Sequence, residues 1–195
     1  MRRARRDRRK DRLTLRGVCL ALGIGLGAHA CGAPVADDRF IVHAPPSSQF
    51  VSGGVGSYLD ARCGTLDCHG TSLRNMVLYG KEGLRLDTRT DLTQPLPLPG
   101  SQDTTADELI TDYHSVVGLE PEIMTAVVQS GGAQPERLTM IRKARGLESH
   151  KGNQIWKEGD DADVCVTSWL ASNVDQGACQ RALQGVEIPR PPDSP

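Results

Sequence analysis

No stretch of the chain alternates apolar and polar residues with a period of two, so it offers no convincing half-buried strand. No internal repeat is present, which sets aside solenoids and propellers. There is no phosphate-cradling glycine loop, no dinucleotide fingerprint and no Ser-His-Asp pattern, so the common nucleotide-dependent and hydrolytic enzymes have no support. The apolar run GVCLALGIGLGAHA, at 17–30, is shorter than the roughly 20 residues of a permanent bilayer span. What remains is a predominantly helical chain with long loops.

The first residues, MRRARRDRRKDRLTLR, are densely basic. The uncharged apolar run follows, ends in small residues, and gives way to polar sequence at VADDRF. A basic n-region, a short apolar h-region and small residues before a cut site make an export signal, expected over 1–30. Cys31, in AHACG, resembles the cysteine of a bacterial lipobox, although Ala28 stands where that box usually has Leu. Lipidation of Cys31 implies tethering to a membrane surface without spanning it, in the periplasm or on the outer surface; plain cleavage near Ala30 is the alternative. The formal net charge of −1 includes the basic leader, so the mature part is acidic, which argues against a nucleic-acid partner.

Export changes the reading of the cysteines, because thiols tend to oxidise outside the cytoplasm. Setting aside Cys19 and Cys31 leaves Cys63, Cys68, Cys165 and Cys179. Residues 31–48, ending in APPSS, read as a flexible tether, 49–185 as one domain, and 186–195 as a disordered tail. FVSGGVGSYLDAR has helical spacing weakened by glycines and would deliver Cys63 at its end. Prolines 95, 97 and 99 exclude a regular helix from the following loop. TTADELITDYHSVVGL, PEIMTAVVQSGG and PERLTMIRKARG read as three further helices. In GDDADVCVTSWLASNVDQGACQRAL, acids start two helices joined by a tight turn, and a Cys165–Cys179 disulfide would staple that hairpin.

The stretch RCGTLDCHG carries the chemistry, and three readings compete. Two thiols can add to the vinyl groups of haem while the histidine directly after the second ligates the iron; the usual spacing is C-x-x-C-H, and here it is Cys63-x4-Cys68-His69. Cys63 and Cys68 can instead form a local disulfide, with His69 incidental. Zinc could take Cys63, Cys68 and His69 as three of four ligands, although adjacent Cys and His sit awkwardly in a tetrahedral site.

The stretch SYLDARCGTLDCHGTSLRNMVLYGKEGLRL resembles the haem-attachment region of exported bacterial cytochrome c-like proteins, including variants with a widened Cys-x4-Cys-His motif. LTMIRKARGLESHKGNQIWKEGDDADVCVTSWLAS resembles their C-terminal part. The resemblance implies an all-α cytochrome c-like fold, one covalent haem c on Cys63 and Cys68, His69 as proximal iron ligand, and electron exchange with redox partner proteins. For the second axial position His150 is the first choice and Met140 the next, since both follow the motif and precede the closing helix; His43, Met76, His114 and Met124 fit less well. Arg142, Lys143 and Arg145 are candidates to neutralise haem propionates. The expected function is single-electron transfer rather than enzymatic turnover, a haem enzyme such as a peroxidase coming third. The alternative from another class is a haem-free, disulfide-stapled lipoprotein that binds a partner or serves the envelope structurally.

Overall fold

The FVSGGVGSYLDAR stretch folds as two helices, α1 (Ser47–Ser52) and α2 (Val55–Cys63), because the chain turns sharply at Gly53 and Gly54. Gly54 precedes α2 with φ +93°, a left-handed conformation that side chains rarely adopt. The break lets Phe50 of α1 turn fully inward while α2 ends on Cys63. The structure, a computed structural model, describes residues 42–186. The expected leader, Cys31, most of the 31–48 tether and the tail beyond 186 lie outside the described residues.

Helix α3 (Ala106–Val117) starts in a capping box: Thr105 accepts from the Glu108 backbone N–H, and the Glu108 carboxylate accepts from that of Thr105. Helix α4 (Pro121–Gln129) has Pro121 in its first turn, where a missing N–H costs nothing. PERLTMIRKARG, expected as one helix, divides into a 3-10 turn (Pro135–Arg137) and α5 (Thr139–Ala144). The cause is Glu120, whose carboxylate accepts from the Thr139 N–H at 2.6 Å and hydroxyl at 2.8 Å, so Leu138 stays extended at ψ 130°. Helices α6 (Asp161–Leu170) and α7 (Gln176–Gln184) are capped by Asp160 and Asp175 and pack on each other, joined by the Cys165–Cys179 disulfide. The described residues are thus helical with no strand; they contain one isolated bridge, Tyr79 to Leu84.

The core is an aromatic cluster with aliphatic walls. Phe50 and Trp169 are fully buried, 5.2 Å apart between ring centroids, and Tyr113 joins them at 5.8 and 6.3 Å. Buried Tyr and Trp need partners for their polar ends. The Tyr113 hydroxyl donates to the Pro45 carbonyl at 3.0 Å and the Trp169 indole N–H to the Pro46 carbonyl at 3.3 Å. The His43 N–H donates to Thr125 Oγ1 at 3.0 Å. The end of the expected tether is therefore packed onto the core, and α1 begins inside it. The Pro45 and Pro46 carbonyls serve as acceptors for the aromatic groups below, and that of Pro46 also takes the Gln49 and Phe50 N–H groups that start α1.

Two ion pairs are buried. Arg145 makes two hydrogen bonds to Asp163, at 2.8 and 2.9 Å, and joins the end of α5 to the start of α6. Arg85 does the same to Glu108, at 2.8 Å for each contact. No helix among the described residues is long and apolar enough to cross a membrane.

The staple supports a test. Cys165 and Cys179 are 14 positions apart, and a cross-link over a loop of that size stabilises by about 3 kcal/mol in the chain-entropy model. The Cys165→Ala/Cys179→Ala double variant is expected to lose about that much in urea unfolding.

Candidate functional site

The loop after α2 winds tightly over its own backbone. The His69 N–H donates to the Cys63 carbonyl at 2.9 Å, and the Cys68 and Gly70 N–H groups both donate to the Thr65 carbonyl at 2.9 Å. These bonds make one closed turn of residues 63–70 and tie the imidazole-bearing residue to the cysteine that ends α2. Gly70 is required by contact: a Cβ there would overlap the Gly64 carbonyl oxygen and lie 2.7 Å from Gly83 Cα. The returning segment is held in turn by Leu78 N–H to the His69 carbonyl, 2.9 Å, and Leu84 N–H to the Gly70 carbonyl, 2.8 Å.

The His69 ring is half-buried, and its Nδ1 lies 2.9 Å from the Met76 carbonyl. A carbonyl only accepts, so Nδ1 carries the proton and Nε2 keeps its lone pair. Burial lowers the His69 pKa, against the opposing pull of the Met76 carbonyl, and favours the neutral ring. The His150 ring centroid stands 6.1 Å from that of His69, with 28° between the ring planes. Its Nδ1 also faces a backbone carbonyl, Asn153, at 3.3 Å. Both imidazoles therefore present the same nitrogen as an unused donor of electron pairs. A backbone acceptor on the far nitrogen is the usual support of a metal-binding histidine.

Two cavities meet at this pair. One, of about 340 Å³, is lined by Leu59, Cys63, Met76, Met140, Ile155 and Trp156 among others. The second, of about 260 Å³, is lined by Cys68, Lys143, Lys151 and Gly152. His69, His150, Arg74 and Lys143 border both. The thiols thus fall one to each side of His69. The buried Trp156 Nε1, in the lining of the larger cavity, has no protein partner. The Lys151 ammonium donates to the Asp67 carbonyl at 3.0 Å and so joins the His150 loop to the cysteine loop.

Cys63 and Cys68 are free thiols, so the local disulfide is not formed. Burial pushes the Cys63 thiol up to about 12, which keeps the free thiol protonated at neutral pH. Among the described residues no group of three or more His, Cys, Asp and Glu side chains is arranged to hold a metal. Of the sequence-expected residues, Cys63, Cys68, His69, His150 and Met140 come together, with Met140 buried in the same lining as His150. His43 and His114 are exposed elsewhere, and Met124 is buried in the core. Of the expected basic cluster, Lys143 borders the cavities and the two arginines do not. Arg145 is consumed by Asp163, and Arg142 bonds Glu148 at 3.0 Å and the Thr139 hydroxyl at 2.7 Å. Lys143, itself paired with Glu148 at 3.0 Å, is joined at the cavity borders by Arg74 and Lys151.

Compared with protein-family models, curated proteins and solved structures, the chain matches none.

The loop geometry makes Gly70 a sensitive position. Gly70→Ala is expected to cost about 2 kcal/mol of stability, in the range of overpacked sites, measured by urea unfolding. The same change at exposed Gly159 meets no atom within 4 Å but carries the strain of φ +80°, and it should cost less.

Proposed function

We propose that the chain is an exported c-type haem protein with a cytochrome c-like helical fold that passes single electrons between redox partner proteins. The observation that carries this reading is the pair of imidazoles with free Nε2 atoms, 6.1 Å apart between ring centroids, beside two free thiols. Two metal–imidazole bonds of about 2 Å, plus the distance from each nitrogen to its ring centre, span about 6 Å. The centroid separation agrees with that sum, which is what supports the reading.

The residues fit the group in three further respects. The walls are apolar over Leu59, Met76, Met140 and Ile155, as a porphyrin face needs. The orphan Trp156 N–H supplies a hydrogen-bond donor for an acidic periphery. Lys143, Arg74 and Lys151 supply positive charge at the cavity borders. In this reading Cys63 and Cys68 would carry the thioether links and His69 and His150 would hold the iron, with Met140 as the alternative to His150. Of the four residues between the cysteines, Leu66 and Asp67 are exposed while Gly64 is buried, so the extra length of the widened spacing would be taken up at 66–67.

Bound haem supplies a reversible ferric–ferrous couple. The chain's own residues do the rest. His69 is held as its Nδ1–H form by the Met76 carbonyl, which makes Nε2 the ligating atom and raises its basicity. A second histidine in place of methionine favours the ferric state and lowers the potential. Leu59, Ile155 and Trp156 exclude water from the larger cavity, which limits solvent reorganisation around a change of charge. The N-terminal signal and Cys31 would deliver the domain to the outer face of a membrane and tether it there by lipid.

The test is expression of the full chain, with its leader, in a host that matures c-type cytochromes, followed by haem staining of a denaturing gel. A stained band and a low-spin spectrum are expected. His69→Ala should abolish the low-spin spectrum, His150→Ala should leave covalent haem but open the sixth position to carbon monoxide, and His43→Ala should change nothing. An exported, folded, colourless protein would reject the reading and leave the haem-free lipoprotein in its place.

A further inference from the structure

Three carboxyl groups lie buried behind the cysteine loop. Asp60 of α2 is 6 % exposed, Glu108 of α3 2 % and Asp112 of α3 1 %. One cation, Arg85, faces them; its two carboxylate contacts both go to Glu108, and it donates further to the carbonyls of Gln102 and Asp103. Asp60 accepts from the Thr104 hydroxyl. Asp112 Oδ1 accepts from the Tyr79 N–H at 2.6 Å. One oxygen of each aspartate, Asp60 Oδ1 and Asp112 Oδ2, is buried with no partner. Nothing in the proposed electron transfer uses this group.

Its position gives it a use. Segment 76–79 is pinned to α3 at two points: Tyr79 by Asp112, and Val77, whose N–H donates to Ser115 Oγ at 2.9 Å. The same segment holds His69 at two points, through the Met76 carbonyl on Nδ1 and the Leu78 N–H on the His69 carbonyl. Whatever fixes 76–79 fixes the imidazole.

We propose that Asp112, carrying a proton, and Ser115 are positioning residues for His69, and that loss of the Asp112 proton loosens the Met76–His69 hydrogen bond. This inference rests on His69 being the iron ligand. Three ionised carboxylates against one guanidinium would leave two uncompensated charges in a dry site, so one acid stays neutral. Burial, reinforced by Asp60 and Glu108 and opposed by the Tyr79 N–H, raises Asp112 to about 8. Asp60 is raised too, again first by burial. The folded chain holds a proton that the unfolded chain releases near pH 4. Stability from this group is therefore full at low pH, declines as pH climbs toward 8, and stays reduced above it. The Asp112 proton comes off in the same upper range, and Tyr79 is then tied to a carboxylate repelled by Asp60 and Glu108.

The experiment uses the full chain, matured and reduced, and compares wild type with Asp112→Asn, Asp112→Ala and Ser115→Ala. The readouts are solvent exchange of the His69 Nδ1 proton by NMR and the midpoint potential, each at pH 6 and pH 9. Exchange rises with hydroxide in every variant, so the readout is the excess over that common rise: wild type is expected to exchange at least about tenfold faster at pH 9 than Asp112→Asn, to match it at pH 6, and to show a shifted potential. Asp112→Asn should show the common rise alone and lose the potential shift. Ser115→Ala, which removes no charge, should speed exchange equally at both and keep the pH dependence; it stands in if Asp112→Ala does not fold. Identical exchange in wild type, Asp112→Asn and Ser115→Ala overturns the proposal. A chain that holds no haem but shows the same exchange pattern retains the clamp on His69 and rejects the haem reading instead.

Discussion

Three glycine backbones in direct contact set the geometry of the site. The Gly64 carbonyl oxygen lies where both Gly70 and Gly83 would carry a Cβ, and a Cβ on Gly83 would come within 2.8 Å of Gly70 Cα. Only bare backbone allows residues 64, 70 and 83 to meet. That meeting closes the 63–70 turn and seats the returning strand of chain against it, so that Leu78 and Leu84 can bond the carbonyls of His69 and Gly70. The imidazole is positioned by backbone on every side, without a sheet and without a helix of its own. A loop normally leaves such groups to water; here they are paired one by one, because the loop is partly buried and unpaired groups would cost free energy.

Helices enter as anchors for these loops. Helix α2 ends on Cys63 and contributes Asp60, whose oxygen approaches both Gly64 and Gly80 closely. Helix α3 contributes Ser115 and Asp112 to the segment that carries Met76. Helices α5 and α6 bracket the His150 loop, and the Arg145–Asp163 pair closes its base. Such a pair adds little net stability once desolvation is counted, but removing one partner leaves a buried charge and is costly. It acts as a registration device: α5 and α6 are held in the relation that brings His150 opposite His69.

The helices were legible in the sequence wherever a cap and an apolar stripe agreed. Thr105 with Glu108, Asp160 and Asp175 mark starts that the structure keeps, and the hairpin with its Cys165–Cys179 staple follows from two short stripes and an even count of cysteines. Boundaries failed where a distant group decided them. Leu138 is extended because Glu120 takes the Thr139 N–H, and no local pattern announces that. The packed end of the tether was hidden because its role is to offer carbonyls to Tyr113 and Trp169, which depends on tertiary placement. For the site, the adjacency of Cys68 and His69 was a local signal, while the approach of His150 depends on the α5–α6 bracket. Asp112 carried a signal that went unread: it interrupts the apolar face that runs from Leu109 to Val116 on α3, and an acid inside a buried stripe must be doing something other than packing.

The two histidines are anchored unequally, and this bears on how the site opens. His69 has its backbone N–H, its carbonyl and its Nδ1 all bonded at 2.9 Å to a turn stiffened by close glycine contacts. His150 has a longer 3.3 Å contact to Asn153, within an exposed turn that also contains Gly152 and whose cross-link to the cysteine loop is the Lys151–Asp67 hydrogen bond. Local opening starts where few buried contacts and many exposed hydrogen bonds coincide. Separation of the pair therefore begins with the His150 turn lifting while His69 stays in place. On the proposed haem reading, His69, next to the cysteines, would be the firmer of the two residues that hold the group, and His150 the one that would give way to a small ligand. The sequence order alone implies no such division; it follows from one loop being locked by close backbone contact and the other being held mainly by exposed lysine hydrogen bonds, Lys143 to the Ser149 carbonyl and Lys151 to the Asp67 carbonyl.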